Sequence, residues 1–163
     1  LPDYLEETVA GAMDLLEKMG DEIRKTAHNL MPEVLLKQPL PDALRSFCSY
    51  MKQEGALQID FQHYGNYDDI TQEFRLSIYR IVQELLKNIT THAEATHALV
   101  QLVKQEHVLA ITVEDNGKGF DTANVQYGMG LHNLATRVRS LNGSYTIESE
   151  VGKGTTVYIE FEI

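Results

Sequence analysis

The sequence predicts an α+β fold, a two-layer α/β sandwich in which a mixed sheet carries helices on one face and is preceded by a long N-terminal helix. Apolar residues alternate in five short segments, which is the pattern of half-buried strands. Between these segments they recur at three- and four-residue steps, which is the pattern of amphipathic helices. Strands and helices that follow one another along the chain favour a layered domain. The 163 residues, 43% of them hydrophobic, suffice for one domain or for one domain with a short appendage.

Composition and charge exclude several classes of protein. The net charge of -10, from 14 basic and 24 acidic residues, argues against a nucleic-acid-binding surface. The single Cys48 excludes an intramolecular disulfide and favours a reducing, cytoplasmic compartment. No apolar run approaches the roughly 18 residues of a membrane span, and no signal peptide is evident. Because the chain begins at Leu1, we expect a fragment of a longer protein, with a membrane anchor in that parent left open.

The first helix is predicted over residues 3–30. Its apolar residues form a narrow stripe, as in helical bundles. One helix cannot bury such a stripe by itself, so we expect a partner helix. Met31-Pro32 should end the helix, because the residue before a proline disfavours the helical conformation. The stripe consists of Leu5, Val9, Met13, Leu16, Met19 and Ile23.

The remaining elements follow in order. A second helix is predicted over 41–55, and the segment 57–61 alternates as the first strand. The segments 96–103 and 108–115 should form a hairpin, since only a short polar turn separates them. A further helix over about 129–141 is followed by two final strands, at 145–149 and 155–163. The residues expected to face inward from the two helices are Leu44, Phe47, Cys48 and Met51, and Leu131, Leu134, Val138 and Leu141.

The stretch 74–91 is the helix around which we expect the domain to be arranged. Its apolar residues share one face, and Glu84 and Asn88 lie four residues apart along the border of that face. Asp69 or Thr71 is expected to cap its start. Two polar side chains at this border can point into a cleft, although an ordinary amphipathic helix also has polar border residues.

Two glycine-containing motifs come after the helix. Asp115 ends a strand whose other inward residues are apolar, and Gly117 and Gly119 follow it. A carboxylate there can accept a hydrogen bond from an exocyclic amine, and the glycines let the backbone approach a flat base; an ordinary turn has the same pattern. Gly128 and Gly130 open a helix whose free amides favour phosphate, although glycine there can also be a flexible entry.

In chain order, E-x-x-x-N, D-x-G-x-G, G-x-G-L and G-x-G-T form a more specific series than any one of them. With this series the chain resembles the ATP-binding domain of the sensor histidine kinases, within the larger family of DNA gyrase, the Hsp90 chaperones and the MutL mismatch-repair proteins. The resemblance is strong over 57–163 and is closest to the short-lid, nitrate-sensor-like subfamily. It implies a Bergerat-type ATP-binding fold. It also implies three parts: 1–31 as the second helix of a dimerisation and phosphotransfer hairpin whose first helix is absent, 32–56 as a junction and first domain helix, and 57–163 as the ATP-binding domain.

The resemblance implies a role for each motif residue, with ATP and Mg²⁺ as the ligands. Asn88 would bind Mg²⁺, and Glu84 would be the catalytic base or polarising residue. Asp115 would accept a hydrogen bond from the adenine amine. The other expected contacts are Gly117 and Gly119 on the adenine wall, Gly128, Gly130 and Leu131 at the phosphates, His92 near the phosphates, and Thr155 beside Asp115.

The chain departs from the family pattern at two places. The family usually has a lysine or arginine just before the histidine, where this chain has Thr91. One phosphate-binding cation is therefore missing, unless Lys87 or Lys118 replaces it. The loop 121–127 is also too short for the phenylalanine-bearing lid of many kinases, which implies an open site that exchanges its nucleotide readily.

The implied activity is transfer of the ATP γ-phosphoryl group to a histidine and then to the receiver domain of a response regulator. None of the six histidines stands in the sequence context of an acceptor. His28 matches a junction position, and His63, His97 and His107 are expected to be exposed. We therefore expect the acceptor helix upstream of Leu1, a homodimer of the full-length protein, and a fragment that binds ATP without labelling itself.

Two alternatives remain open. An anti-sigma-factor-type serine/threonine kinase shares these motifs, although the Met-Pro junction and the bundle-like first helix argue against it. A non-catalytic module could use the fold only to bind nucleotide or a partner. Thr91 supports that second alternative, whereas the presence of Glu84, Asn88 and Asp115 opposes it.

Overall fold

The structure is a computed structural model that describes residues 8–20, 38–123 and 129–163. The chain divides into two compact units, Leu1–Val34 and Leu35–Ile163. The domain limits predicted at 31 and 56 stay a prediction.

In the first unit, residues 8–20 form helix α1. Four residues of the predicted stripe, Val9, Met13, Leu16 and Met19, are exposed on it. The partner helix therefore stays a prediction, and the expected extension to residue 30, together with His28 and the Met31-Pro32 junction, lies outside the described residues. Within the described ranges, no helix has the length and apolar character needed to cross a membrane.

The second unit contains three α-helices and five strands among its described residues. A π-helical turn follows the middle helix directly. In chain order the elements are α2 (Leu40–Glu54), β1 (Gln58–Tyr64), α3 (Gln72–Asn88), the π-helical turn (Ile89–Ala93), β2 (His97–Gln105), β3 (Val108–Asp115), α4 (Met129–Ser140), β4 (Ser144–Glu150) and β5 (Gly154–Glu162).

The five strands form one mixed sheet in the order β1-β2-β3-β5-β4. β1 pairs with β2 in parallel, and the other neighbours are antiparallel. Alternate residues of the central strands are buried, so one face of the sheet packs against the helices. The prediction of an α+β sandwich with a mixed sheet is confirmed.

Helix α3 begins at Gln72, after a polar loop, and carries the predicted apolar face. The Thr71 side chain accepts a hydrogen bond from the Phe74 N–H at 3.3 Å, which makes Thr71 rather than Asp69 the N-cap. The α-helix ends at Asn88, three residues before the predicted end, because the chain continues as the π-helical turn and then leaves it at Glu94, whose φ is 53°. Its buried residues are Ile78, Tyr79, Ile81, Val82, Leu85 and Leu86.

The last strand differs from its prediction at one residue. Val157, Ile159 and Phe161 are buried as expected, whereas Ile163 follows the end of β5 and is exposed. The Phe161 ring packs edge-on against Phe74 at 5.2 Å between centroids, which ties β5 to the start of α3. The sheet and the central helix are thereby fixed on each other, and the cavity described next lies between them.

Candidate nucleotide-binding site

A cavity of about 730 Å³ opens between α3, α4 and the ends of β3 and β5, a volume within the range of small-molecule sites. It has two unlike walls. We call the side formed by α3 and the start of α4 the helix wall, and the side formed by β3, β5 and the loop 116–120 the sheet wall. The helix wall includes Glu84, Asn88, Gly130 and Leu131, and the sheet wall includes Val113, Asp115, Gly119, Phe120, Thr155 and Val157.

On the helix wall, Glu84 and Asn88 lie side by side beneath the first turn of α4. A Cβ added to Gly130 would lie 2.7 Å from Glu84 Oε1 and 2.8 Å from Asn88 Oδ1, so this glycine packs directly on both side chains. The Nδ2 atom of Asn88 is buried and has no hydrogen-bond partner among the described residues. Glu84 likewise makes no hydrogen bond or ion pair within the described part of the chain. An amide buried without a partner costs stability unless a ligand satisfies it.

On the sheet wall, the side chain of Asp115 is buried, with only 6% of the residue exposed. Its Oδ1 accepts a hydrogen bond from the Gly117 N–H at 2.7 Å. Burial raises the pKa of this carboxyl above its usual range, and the backbone N–H groups of Gly117 and Thr155 oppose that rise by donating to the carboxylate. The carboxylate can therefore still accept a further donor from the cavity.

Glycines let the sheet wall close tightly behind Asp115. Gly154 has φ +93°, and a Cβ added to it would overlap the carbonyl oxygen of Asp115. Gly119 has φ +57°, and its Cβ would overlap the carbonyl oxygen of Glu150. Both conformations and both approaches favour glycine, so the backbone between β3 and β5 is packed without side chains at this point.

Ser149, which the sequence motifs do not include, ties the sheet wall together from behind. Its Oγ accepts from the Phe120 N–H at 2.9 Å, donates to the Gly154 carbonyl at 3.0 Å and lies 2.9 Å from Thr155 Oγ1. Ser149 therefore joins three backbone segments, those of β4, the loop after β3 and the start of β5.

Two lysines and a histidine line the cavity. Lys87 and Lys118 both line it, and His92 reaches it from the π-helical turn. Lys118 Nζ lies 2.7 Å from Glu94 Oε1, and this lysine lowers the pKa of the Glu94 carboxyl. Thr91 is exposed and is not among the lining residues. Both lysines named as replacements for the missing basic residue are thus at the cavity.

The structure brings most of the predicted site residues to one place. Gly117 lies behind the sheet wall, against the Asp115 carboxylate and Ala93. Gly128 and most of the loop 121–127 lie outside the described residues. Sequence reasoning missed Ser149, Asn133 and Ile147, because each stands in a strand or helix at a position that any residue of its pattern can occupy. The predicted residues that line the cavity are Glu84, Asn88, His92, Asp115, Gly119, Gly130, Leu131 and Thr155.

The two walls suit different parts of a ligand. Buried acceptors between apolar side chains on the sheet wall suit a flat ring that carries an amine. An amide and a carboxylate beneath a helix start suit a hard cation and the phosphates that share it.

Comparisons with known proteins agree with this geometry. The family model described as histidine kinase-, DNA gyrase B- and HSP90-like ATPase matches residues 74–163, which is more than half of the chain. The chain is 32% identical over 164 residues to the sensor histidine kinase ComP of Bacillus subtilis, covering 97% of this chain and 21% of that protein. It is 29% identical over 143 residues to the signal transduction histidine-protein kinase/phosphatase DegS of Brevibacillus brevis, covering 87% and 37%.

A solved structure has the same fold. The histidine kinase domain from the blue-light activated histidine kinase of Erythrobacter litoralis superposes with a TM-score of 0.63 and 25% identity, covering 76% of this chain and 61% of that one. The chain spans well under half the length of the two kinases it matches in sequence.

Proposed function

Because the chain belongs to the family of histidine kinase-, DNA gyrase B- and HSP90-like ATPases, we propose that it binds ATP with Mg²⁺ as the catalytic domain of a two-component sensor histidine kinase. Its substrates would be ATP and a histidine located outside this chain. The phosphoryl group would then pass to the receiver domain of a response regulator. The full-length protein would be a homodimer with this domain in the cytoplasm.

One observation carries the proposal: four motifs that are far apart in the sequence line one cavity. Glu84 and Asn88 come from E-x-x-x-N, Gly130 from G-x-G-L, and Asp115 and Thr155 from D-x-G-x-G and G-x-G-T. A common turn or an ordinary amphipathic helix would not require these residues to meet.

The sheet wall would hold the adenine. The Asp115 carboxylate would accept a hydrogen bond from the exocyclic amine, and Gly117 and Gly119 would allow the ring to approach. Thr155 would support the same edge from β5. At the other end, the phosphates would lie at the start of α4, against the backbone of Gly128, Gly130 and Leu131 and near His92.

The helix wall would hold the metal. The Asn88 side-chain oxygen lies beside the Glu84 carboxylate, both of them against Gly130, so the donor set fits a hard cation that takes its other ligands from water and phosphates. Rotating the amide about its last side-chain bond exchanges its oxygen and nitrogen, so either can face the ligand. Mg²⁺ held by Asn88 would supply positive charge that neutralises the phosphates.

Phosphoryl transfer would form a bond from phosphorus to an imidazole nitrogen and break the bond to the bridging oxygen of ADP. Glu84 would polarise the attacking imidazole by accepting a hydrogen bond from its other nitrogen, which favours the developing positive charge on the ring. We expect this acceptor to lie outside the chain; His63, His97 and His107 are exposed on or beside the strands, as predicted.

Calorimetric titration of the chain with Mg-ATP tests the proposal. Wild type should bind, and Asp115→Asn should bind about 10- to 100-fold more weakly, the worth of one hydrogen bond to a charged group. Asp60→Asn is the matched control, because Asp60 is exposed on β1, and it should bind like wild type. Absence of binding by wild type, or equal binding by Asp115→Asn, would contradict the proposal.

A second experiment tests the location of the acceptor. The purified chain, incubated with labelled Mg-ATP, should gain no acid-labile phosphate. Label on this chain would place the acceptor inside it.

A further inference from the structure

We propose that Ser149 acts through the Thr155 hydroxyl to select 6-amino over 6-oxo purine nucleotides. Ser149 does not line the cavity, whereas Thr155 does. Ser149 would therefore be a positioning residue rather than a ligand contact. This inference rests on the proposed function, because it concerns the nucleotide that the same site takes.

The groups around Ser149 determine where its hydroxyl proton lies. The Phe120 N–H can only donate, and it lies 2.9 Å from Ser149 Oγ. The Gly154 carbonyl can only accept, and it lies 3.0 Å away. A serine hydroxyl has one proton and two lone pairs. Its proton therefore goes to Gly154, because the alternative would leave two acceptor oxygens facing each other without a proton between them.

The hydrogen bond to Ser149 determines the direction of the Thr155 hydroxyl proton. Thr155 Oγ1 lies 2.9 Å from Ser149 Oγ, whose proton is already used and whose remaining lone pair is free to accept. Thr155 must then be the donor in this hydrogen bond. With its only proton directed at Ser149, the Thr155 hydroxyl presents lone pairs alone to the cavity.

Thr155 and Asp115 present the same kind of polar group to the cavity. The Gly117 N–H donates to the Asp115 carboxylate at 2.7 Å, and the ionised carboxylate has lone pairs left but no proton to offer. Both polar side chains on this wall are thus acceptors. The purine 6-substituent that faces these acceptors must therefore be a hydrogen-bond donor, as an exocyclic amine is. The carbonyl oxygen of a 6-oxo purine would face only lone pairs. A site that leaves polar groups unpaired rejects the wrong ligand strongly.

Removing the Ser149 hydroxyl should release the Thr155 proton. In Ser149→Ala, the Thr155 hydroxyl is free to rotate and donate to a 6-oxo group. The affinity for inosine triphosphate relative to ATP should then rise by about three- to tenfold, the worth of one ordinary hydrogen bond. A purely structural defect would lower the affinities for both nucleotides by the same factor and leave the ratio of the two affinities unchanged.

The experiment measures dissociation constants for Mg-ATP and Mg-inosine triphosphate by calorimetry. Ser149→Thr keeps the hydroxyl and should keep the wild-type ratio. Ser144→Ala is the matched control, since Ser144 begins the same strand and is exposed. If Ser149→Ala does not fold, Ser149→Cys keeps the shape of the side chain with a weaker hydrogen-bonding group. It should also raise the affinity for inosine triphosphate relative to ATP.

A double-mutant cycle identifies the route of the effect. In a Thr155→Val background, Ser149→Ala should no longer change the ratio, because the hydroxyl through which it acts is gone. An unchanged ratio in the single variant, or an equal change in both backgrounds, would overturn the inference while leaving ATP binding intact. Failure of wild type to bind either nucleotide would instead overturn the proposed function.

Discussion

The two walls of the cavity differ in how their polar groups are satisfied. On the sheet wall, Asp115 and Thr155 have hydrogen-bond partners, and Ser149 behind this wall has them too. On the helix wall, the Asn88 amide nitrogen is buried without a partner among the described residues, and Glu84 has none there either. The difference indicates that the sheet wall is complete without a ligand, whereas the proposed ligand would complete the helix wall.

The backbone explains this difference. Asp115 and Ser149 stand where strands end and loops begin, so the loop N–H groups need side-chain acceptors. Glu84 and Asn88 stand in a helix whose backbone groups bond to one another, so their side chains are not needed for the fold. Changes on the sheet wall should therefore reduce both stability and binding. Replacing a polar group of the helix wall by an apolar one should reduce binding without loss of stability, as expected where function and stability compete.

The largest effect is expected from Gly154→Ala on the sheet wall. Its Cβ would overlap the Asp115 carbonyl oxygen, and its φ of +93° is unfavourable for alanine. The overlap is with backbone, which cannot rotate away, so we expect a loss of about 3 kcal/mol or more in the free energy of unfolding. Denaturant titration followed by circular dichroism measures it.

Gly152→Ala is the matched control for that variant. Gly152 lies two residues earlier in the same turn and has φ +83°, but its Cβ would meet no atom within 4 Å. Only the backbone strain remains, at about 1 kcal/mol. Equal losses in the two variants would show that close packing behind Asp115 does not hold the sheet wall together.

The next effect concerns the helix wall. Asn88→Leu should lower the affinity for Mg-ATP by about 10- to 100-fold, because the substitution removes a proposed metal ligand. It should also raise the free energy of unfolding by about 1 kcal/mol, since it replaces an amide whose buried nitrogen has no partner among the described residues by an apolar group of similar size. Calorimetry and denaturant titration measure the two changes.

Asn88→Asp tests whether the side-chain oxygen of residue 88 is sufficient for binding without the amide nitrogen. A carboxylate keeps a hard oxygen ligand, so binding should remain dependent on Mg²⁺. It also places two carboxylates side by side on α3, because Glu84 is adjacent, and the variant without metal should be less stable than wild type. Loss of stability in Asn88→Leu would mean that this amide has a structural partner, and the contrast between the walls would fail.

Sequence reasoning predicted most of the fold because the elements are strongly periodic. The alternation in β3 placed Asp115 at the end of a buried face, where the structure has it. The four-residue spacing placed Glu84 and Asn88 side by side. Local patterns could not show the π-helical turn, because Ile89 continues the apolar stripe of α3 whether the next turn is α or π.

Sequence reasoning missed Ser149, which lies behind the sheet wall, for a similar reason. Ser149 fits the alternation of β4 as a half-buried position, and nothing nearby in the sequence indicates its partners. Phe120 lies 29 residues earlier, and its contact with Ser149 exists only because β4 and the loop after β3 meet around β5. Contacts set by sheet topology need the topology itself, whereas glycine motifs carry their own local signature.

The smallest effect sharpens the contrast through pH. Burial raises the pKa of the Asp115 carboxyl in the free protein. In the proposed complex the adenine amine would donate to the ionised form, so binding would favour loss of the proton and lower this pKa. Affinity should therefore be full above the pKa of the free protein. It should fall as the pH drops through that value, by at most about tenfold per pH unit.

Asp115→Asn isolates this dependence, because the amide does not titrate. The phosphates of ATP gain protons equally in both experiments, so the ratio of the two dissociation constants reports Asp115 alone. As the pH is lowered from about 8, the two affinities should approach each other, and they should do so at a higher pH than an ordinary aspartate with a pKa of about 3.9 would give. A ratio that stays constant with pH would mean that no donor from the nucleotide reaches the carboxylate. The sheet wall would then be complete without contributing to recognition.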